Sequence, residues 1–222
     1  MYLIPPHCIL CGTSTTNQYD LCHACKDELP WMTHYCQQCA LPLPTSQFRC
    51  GNCLKHPPYF DKTLALFHYQ PPLTKLIPDY KFHDKLVYGK IFSELLLEKL
   101  YHRSELPQAL IPVPLHSKRL QERGYNQALE LAKPLAKRLR LPLLWNICQR
   151  HKATAAQSNL PANKRQTNVK NAFSLKKSIP YTHIAMIDDV ITTGNTVNEL
   201  SRLLKQNNVH MIEIWCIART HS

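Results

Sequence analysis

The chain has 222 residues and a formal net charge of +12, from 27 Lys and Arg against 15 Asp and Glu. That length holds one substantial core plus a small appended module, since domains typically run to about 100 to 150 residues. No apolar run approaches the roughly 18 residues of a membrane span, and Met1-Tyr2-Leu3-Ile4-Pro5-Pro6 lacks a charged and then apolar leader, so a cytoplasmic protein is expected.

The charge is unevenly spread. Residues 117–177 carry fourteen Lys and Arg against only Glu122 and Glu130, while the spans before and after are nearly balanced. A focused basic region points to a polyanionic partner: pyrophosphate, nucleic acid or both.

In chain order, eight of the ten cysteines come first, as Cys8/Cys11, Cys22/Cys25, Cys36/Cys39 and Cys50/Cys53. Each pair is C-x2-C, and the pairs repeat every 14 residues. Two such knuckles supply the four sulfurs of a structural Zn²⁺ site, so four pairs make two sites. Sequential pairing is the simplest arrangement, and the spacing alone equally permits interleaved pairing. Apolar residues in this segment, such as Leu21, Leu29 and Trp31, are scattered and few, so zinc is expected to take the place of a core.

His56-Pro57-Pro58 breaks the chain after the last pair, which sets a zinc module at 1–58 and a second domain at 59–222. Lys62 to Tyr69 reads as a strand; Leu73 to Phe82 and Tyr88 to His102 read as helices. Ala109 to Leu115 reads as a strand, followed by the polar, basic stretch from His116 to Gln127 and a helix through Arg138. Leu141 to Cys148 reads as a second core strand. Gln149 to Phe173 has few large apolar residues, with some helix expected over Pro161 to Gln166, and a connection that long points to function.

Ile184 to Ile187 then forms an apolar strand that runs into Asp188 and Asp189, and Thr192-Thr193-Gly194-Asn195-Thr196 leads into a helix over Val197 to Lys205. A loop feeding a helix N-terminus presents backbone N–H groups and the positive end of the helix dipole, so these five residues can wrap a phosphate. The two carboxylates beside them reach hydroxyls or a cation. Val209 to Ala218 reads as the last core strand.

The Asp-Asp and Thr/Gly-rich stretch resembles the phosphoribosyl-pyrophosphate (PRPP) signature of type I phosphoribosyltransferases. With Pro112-Val113-Pro114-Leu115, Arg123-Gly124-Tyr125-Asn126-Gln127, a pattern of Thr154, Gln157, Leu160, Arg165, Asn168 and Phe173, and the paired cysteines, the whole chain resembles the ComF/GntX family. The resemblance implies a type I phosphoribosyltransferase-like α/β domain, an open parallel sheet with helices on both faces, behind a double zinc ribbon. It implies that Asp188 and Asp189 hold the ribose hydroxyls with Mg²⁺, and that Thr192, Thr193, Gly194, Asn195 and Thr196 hold the 5′-phosphate. The pyrophosphate falls to Leu115, His116, Ser117, Lys118, Arg119 and Arg123. Lys164 and Arg165, in a loop expected to close over the ligand, would meet pyrophosphate or DNA.

The family implies a role in natural competence and DNA uptake, with PRPP and incoming single-stranded DNA as partners. Two readings stand side by side: a PRPP-binding protein that handles single-stranded DNA, and an active transferase moving phosphoribosyl to a nitrogen acceptor. A scaffold for a competence helicase or recombination protein is compatible with both. No residue stands out as a catalyst or as a selector of an acceptor base.

Overall fold

The computed structural model describes residues 7–16, 19–83, 85–152 and 169–221. Four parallel strands, β1 (Lys62–His68), β2 (Ala109–Pro112), β5 (His183–Ile191) and β6 (Met211–Arg219), form a sheet in the order β1-β6-β5-β2. Covered on both sides, such strands read as continuous apolar runs, and every residue of β2 is buried. Alternation separates the two faces. Ala185, Ile187, Trp215 and Ile217 enter one core cluster, whereas Ile184, Met186, Ile212, Ile214 and Cys216 enter the other.

Helices α3 (Leu73–Phe82), α4 (Leu86–Leu100) and α6 (Gln127–Leu139) contribute to the first cluster, and α7 (Asn195–Lys205) to the second. Each helix fits its sequence. Along α7, Val197, Leu200 and Leu204 fall on one buried face. Asn126 caps α6 by accepting from the Ala128 amide at 3.0 Å. Gly89 in α4 has a packing role, because a Cβ there would lie 2.7 Å from the Tyr80 ring.

Three expectations change. First, Ser117–Arg123, in the polar, basic stretch expected to lie ahead of a helix, is itself helix α5. Its N-cap is His116, whose Nδ1 accepts from the Lys118 amide at 3.2 Å, and it ends on Gly124 at φ 80°. Second, Leu141 to Cys148 is not a core strand. Residues 142–144 bridge only Leu110, through bonds of 2.9 and 2.8 Å. The chain then enters β3 (Cys148–Arg150), which pairs antiparallel with β4 (Phe173–Leu175) outside the main sheet. Pro142 lacks the N–H a central strand needs, and Trp145 is 61% exposed, which suits a rim.

Third, the first ribbon, besides its cysteine tetrad, adds apolar residues to the core of the larger domain. It includes the short helix α1 (His23–Asp27), and its Tyr19, Leu21 and Leu29 join the cluster that holds α3 and α4. Tyr19 donates to Glu98 of α4 at 2.5 Å, and Lys26 pairs with the same carboxylate at 2.6 Å. Next along the chain, the Met32 amide donates to Leu66 at 2.8 Å and the His68 amide to Pro30 at 2.8 Å, covering the outer edge of β1. The second ribbon, with the short helix α2 (Gly51–Lys55), lies at the other end of that strand: Thr63 Oγ1 donates to the Gln38 carbonyl at 2.7 Å. No helix among the described residues is long and apolar enough to cross a membrane.

Candidate functional site

Strand β5 carries Asp188 and Asp189 to the carboxyl end of the sheet, the usual place for a ligand in an open α/β fold. Two successive strand residues face opposite ways. Asp189, 3% exposed, meets Lys81 of α3, whose Nζ is 2.8 Å from Oδ2. Asp188 sits in the sheet register beside Cys216, where burial and the adjacent Asp189 carboxylate push its carboxyl up to about 7. Lys81 and Arg150 pull against that rise.

The chain then turns through Thr192, Thr193 and Gly194. Gly194 adopts φ 78°, a left-handed conformation that glycine takes without strain, and it leads directly into α7. A small hollow of about 40 Å³ is lined by Thr192, Gly194, Asn195, Thr196 and Asp188 among others. Beside it opens a cleft of about 380 Å³, bounded by both acids, Thr192, Thr196 and Leu115, with Lys81, Arg119, Arg123 and Arg150 as its cations.

The cations come from separate elements. Arg119 and Arg123 lie on α5, with Arg123 bonded to Gln127 and 4.7 Å over the Phe82 ring. Arg150, 6% exposed on β3, stands 5.6 Å over the Phe173 ring of β4. Burial lowers the affinity of the Arg123 and Arg150 guanidinium groups for their protons, while the nearby acids oppose that effect.

Among the residues expected at pyrophosphate, Leu115, Arg119 and Arg123 line the cleft. His116 is occupied as the α5 cap, and Ser117 and Lys118 lie exposed on that helix. Thr193 lines a cleft on the other side of the loop from Lys81. Lys164 and Arg165, with Thr154, Gln157, Leu160, Asn168 and the helix expected over Pro161 to Gln166, lie outside the described residues. Sequence reasoning missed Lys81 and Arg150 as members of the site. Arg150 had a signal in the basic span 117–177, whereas Lys81, in an ordinary-looking helix, had none.

The cysteines resolve into sequential tetrads, Cys8/Cys11/Cys22/Cys25 and Cys36/Cys39/Cys50/Cys53. Sγ separations of 3.8 Å for Cys11 and Cys22, 3.9 Å for Cys36 and Cys53 and 3.8 Å for Cys39 and Cys50 are those of a tetrahedron. Four Zn–S arms of about 2.3 Å have edges of about 3.8 Å. Both sets fit structural Zn²⁺.

The double zinc ribbon domain family matches residues 1–54. Over 221 residues, 96% of each chain, the sequence is 41% identical to Competence protein F of Haemophilus influenzae. The chain belongs to the competence protein F family. Other similar chains include DNA utilization protein YhgH of Escherichia coli K12, 34% identical over 99% of this chain and 100% of that one. Competence protein ComFC of Streptococcus pneumoniae is 25% identical over 155 residues, covering 70% of this chain and 67% of its own. This competence protein F family member thus joins two cysteine tetrads to an α/β domain whose acids and four cations meet in one cleft.

Proposed function

We propose that this chain binds PRPP in the cleft at the end of β5 and uses its basic surface to handle incoming single-stranded DNA in competence and DNA uptake. The observation that carries the reading is the meeting, in one cleft, of a carboxylate pair, a helix-capped Thr/Gly loop and four cations from three elements. The names of the similar proteins, Competence protein F and DNA utilization protein YhgH, supply the biological setting. In this reading residues 1–58 are the zinc module and 59–222 the ligand-binding domain, acting in the cytoplasm beside a helicase or recombination protein.

Thr192, Thr193, Gly194, Asn195 and Thr196 take the 5′-phosphate, and Asp188 and Asp189 accept hydrogen bonds from the ribose hydroxyls. Arg119, Arg123 and Arg150 face the pyrophosphate, where guanidinium forks suit paired phosphate oxygens. Two carboxylates with a polyphosphate form a fitting donor set for hydrated Mg²⁺, which supplies charge neutralisation when bound. Lys81 already balances Asp189 from the protein side. Lys164 and Arg165 add two positive charges for DNA.

The double change Asp188→Asn with Asp189→Asn tests the assignment. Calorimetry should show PRPP binding by the parent and none by the variant, with the zinc content of both alike. Retained PRPP affinity in the variant refutes the site.

The gathering of Arg119, Arg123 and Arg150 favours a second reading, phosphoribosyl transfer to a nitrogen acceptor. These groups would take up charge as the bond from ribose C1 to pyrophosphate breaks, the kind of preorganised stabilisation that gives enzymes much of their rate. Pyrophosphate release on adding an acceptor supports transfer; DNA binding altered by PRPP without release supports the first reading.

A further inference from the structure

We infer that the second zinc ribbon sets the phosphate loop through Arg219, so that zinc at Cys36, Cys39, Cys50 and Cys53 governs phosphate binding while zinc at the first tetrad does not. This inference rests on the reading of Thr192 to Thr196 as a phosphate loop.

Arg219 is the last residue of β6 and is 5% exposed. Its Nε donates to the carbonyl of Cys39 at 3.1 Å. Its Nη1 donates to the carbonyls of Ile191 at 3.3 Å and Thr220 at 2.8 Å, and to that of Thr192. One planar guanidinium therefore joins a zinc-ligand residue to the two residues that open the loop. Within a trans peptide the C=O and the following N–H point in opposite directions. Carbonyls of Ile191 and Thr192 turned to Arg219 direct the amides of Thr192 and Thr193 the other way.

The ribbon end of this link is held firmly. Thr63 of β1 donates its amide to Gln37 at 3.0 Å and its hydroxyl to Gln38 at 2.7 Å, and Gln38 Nε2 donates to the Phe60 carbonyl at 3.2 Å. The loop end is not wedged from behind. A cleft of about 610 Å³ separates it from the ribbon, lined by Cys39, Cys53, Thr193, Gly194 and Asn195 among others. A Cβ on Gly194 would meet only Ile191, at 3.8 Å. Ile191 and Val197 pack in the core on either side of the loop, and directed bonds from Arg219, helped by the Thr220 amide at 3.1 Å from the Ile191 carbonyl, orient the peptides that open it. The first tetrad has a different anchorage, docking on α4 through Tyr19, Lys26 and Glu98.

Contacts outside the ligand shell couple the orientation of a metal ligand to its surroundings. Here the direction runs from the metal knuckle, through Cys39 and Arg219, to the loop.

The test compares Arg219→Gln, Arg219→Lys, Cys39→Ser and Cys11→Ser in the full chain. Two probes separate the halves of the cleft: ribose 5-phosphate for the loop and inorganic pyrophosphate for the arginines. Arg219→Gln should keep two zinc ions and weaken ribose 5-phosphate binding at least about tenfold, as losing charge-assisted bonds implies, while pyrophosphate affinity stays within about twofold. Amide exchange over Thr192 to Thr196 should speed up while exchange in α4 does not, which distinguishes local release from general unfolding. Arg219→Lys, which keeps the charge without the fork, should fall between. Each cysteine change should lose zinc from its own tetrad; in loop exchange and ribose 5-phosphate affinity, Cys39→Ser should follow Arg219→Gln and Cys11→Ser should match the parent.

Parent-like loop exchange in both Arg219→Gln and Cys39→Ser, or equal effects from Cys11→Ser and Cys39→Ser, overturns the inference. If the parent fails to bind ribose 5-phosphate but the exchange pattern appears, the phosphate reading fails and the positioning link stands.

Discussion

Replacing Lys81 by Met removes the protein's own counter-charge to the acid pair while keeping most of the side chain's length. At 2.8 Å, the attraction between Lys81 and Asp189 is roughly 6 kcal/mol for an effective dielectric of about 20. Desolvation offsets much of this, and breaking a buried pair typically costs about 3 to 5 kcal/mol. Because the Lys81 side chain is 21% exposed and that of Asp189 only 4%, the lower end, about 3 kcal/mol, is expected. For a chain of this size that is a fall in melting temperature of roughly 6 to 12 °C.

The cost should also depend on pH. The Asp188 carboxyl is raised from 3.8 to about 7 in the folded chain, so folded protein holds more protons than unfolded protein between those values. Stability from this group is therefore fullest below the lower value and is lost as pH rises through the upper one. Lys81 opposes the rise, so Lys81→Met should raise this carboxyl further and carry the loss to higher pH. Thermal melts of parent and variant should differ by the ion-pair cost alone near about pH 5 and diverge further towards about pH 8. Lys81→Met with Asp189→Asn should recover much of the stability. A change below about 0.5 kcal/mol that is independent of pH would falsify the ion-pair account.

Glu213 is 2% exposed and accepts from Arg103 at 2.6 and 2.9 Å and from Trp215 at 2.9 Å. Glu213→Gln should cost about 3 kcal/mol by leaving Arg103 without its charge partner, read by urea denaturation. Burial opposes ionisation, but Arg103 and Trp215 hold the Glu213 carboxyl below its ordinary 4.5, so its stabilisation is present above that value and lost as pH falls through the lowered one. Gly89→Ala should cost about 1 to 3 kcal/mol by forcing its methyl into the Tyr80 ring, and the smaller Tyr80→Leu in the same chain should relieve part of that clash. Single-stranded DNA affinity should fall steeply with salt, and Lys164→Ala with Arg165→Ala should flatten that dependence; an interaction indifferent to salt removes direct DNA handling from the proposal.

The cysteine pairs and the Asp188 to Thr196 run were legible because their chemistry is local: a knuckle or a loop before a helix is specified by neighbouring residues. The same holds for β1, β5 and β6, where sheet burial leaves continuous apolar stretches. Helix α5 was not legible. Its one large apolar residue, Leu120, is 43% exposed, so there is no buried stripe to give a period, and its end caps set its limits. Leu141 to Cys148 misled for the opposite reason, since its apolar composition suits a core strand while the run lies along a rim. Lys81 and Arg219 act across 108 and 180 residues of sequence, to Asp189 and Cys39 respectively, and no local pattern announces such meetings.

The placement of β6 between β1 and β5 has a consequence for synthesis. Strand β1 pairs Lys62 with Glu213 and His68 with Arg219, so its sheet neighbour leaves the ribosome about 150 residues after it does. Throughout that interval β1 has residues 30–32 along one end and Gln37 and Gln38 at the other, and no strand beside it. A chain cut short before Met211 therefore loses more than its last strand: it splits the sheet into two unconnected pieces and takes away the tie between metal knuckle and loop. Nonsense mutations just before the Met211 codon should be as damaging as early ones.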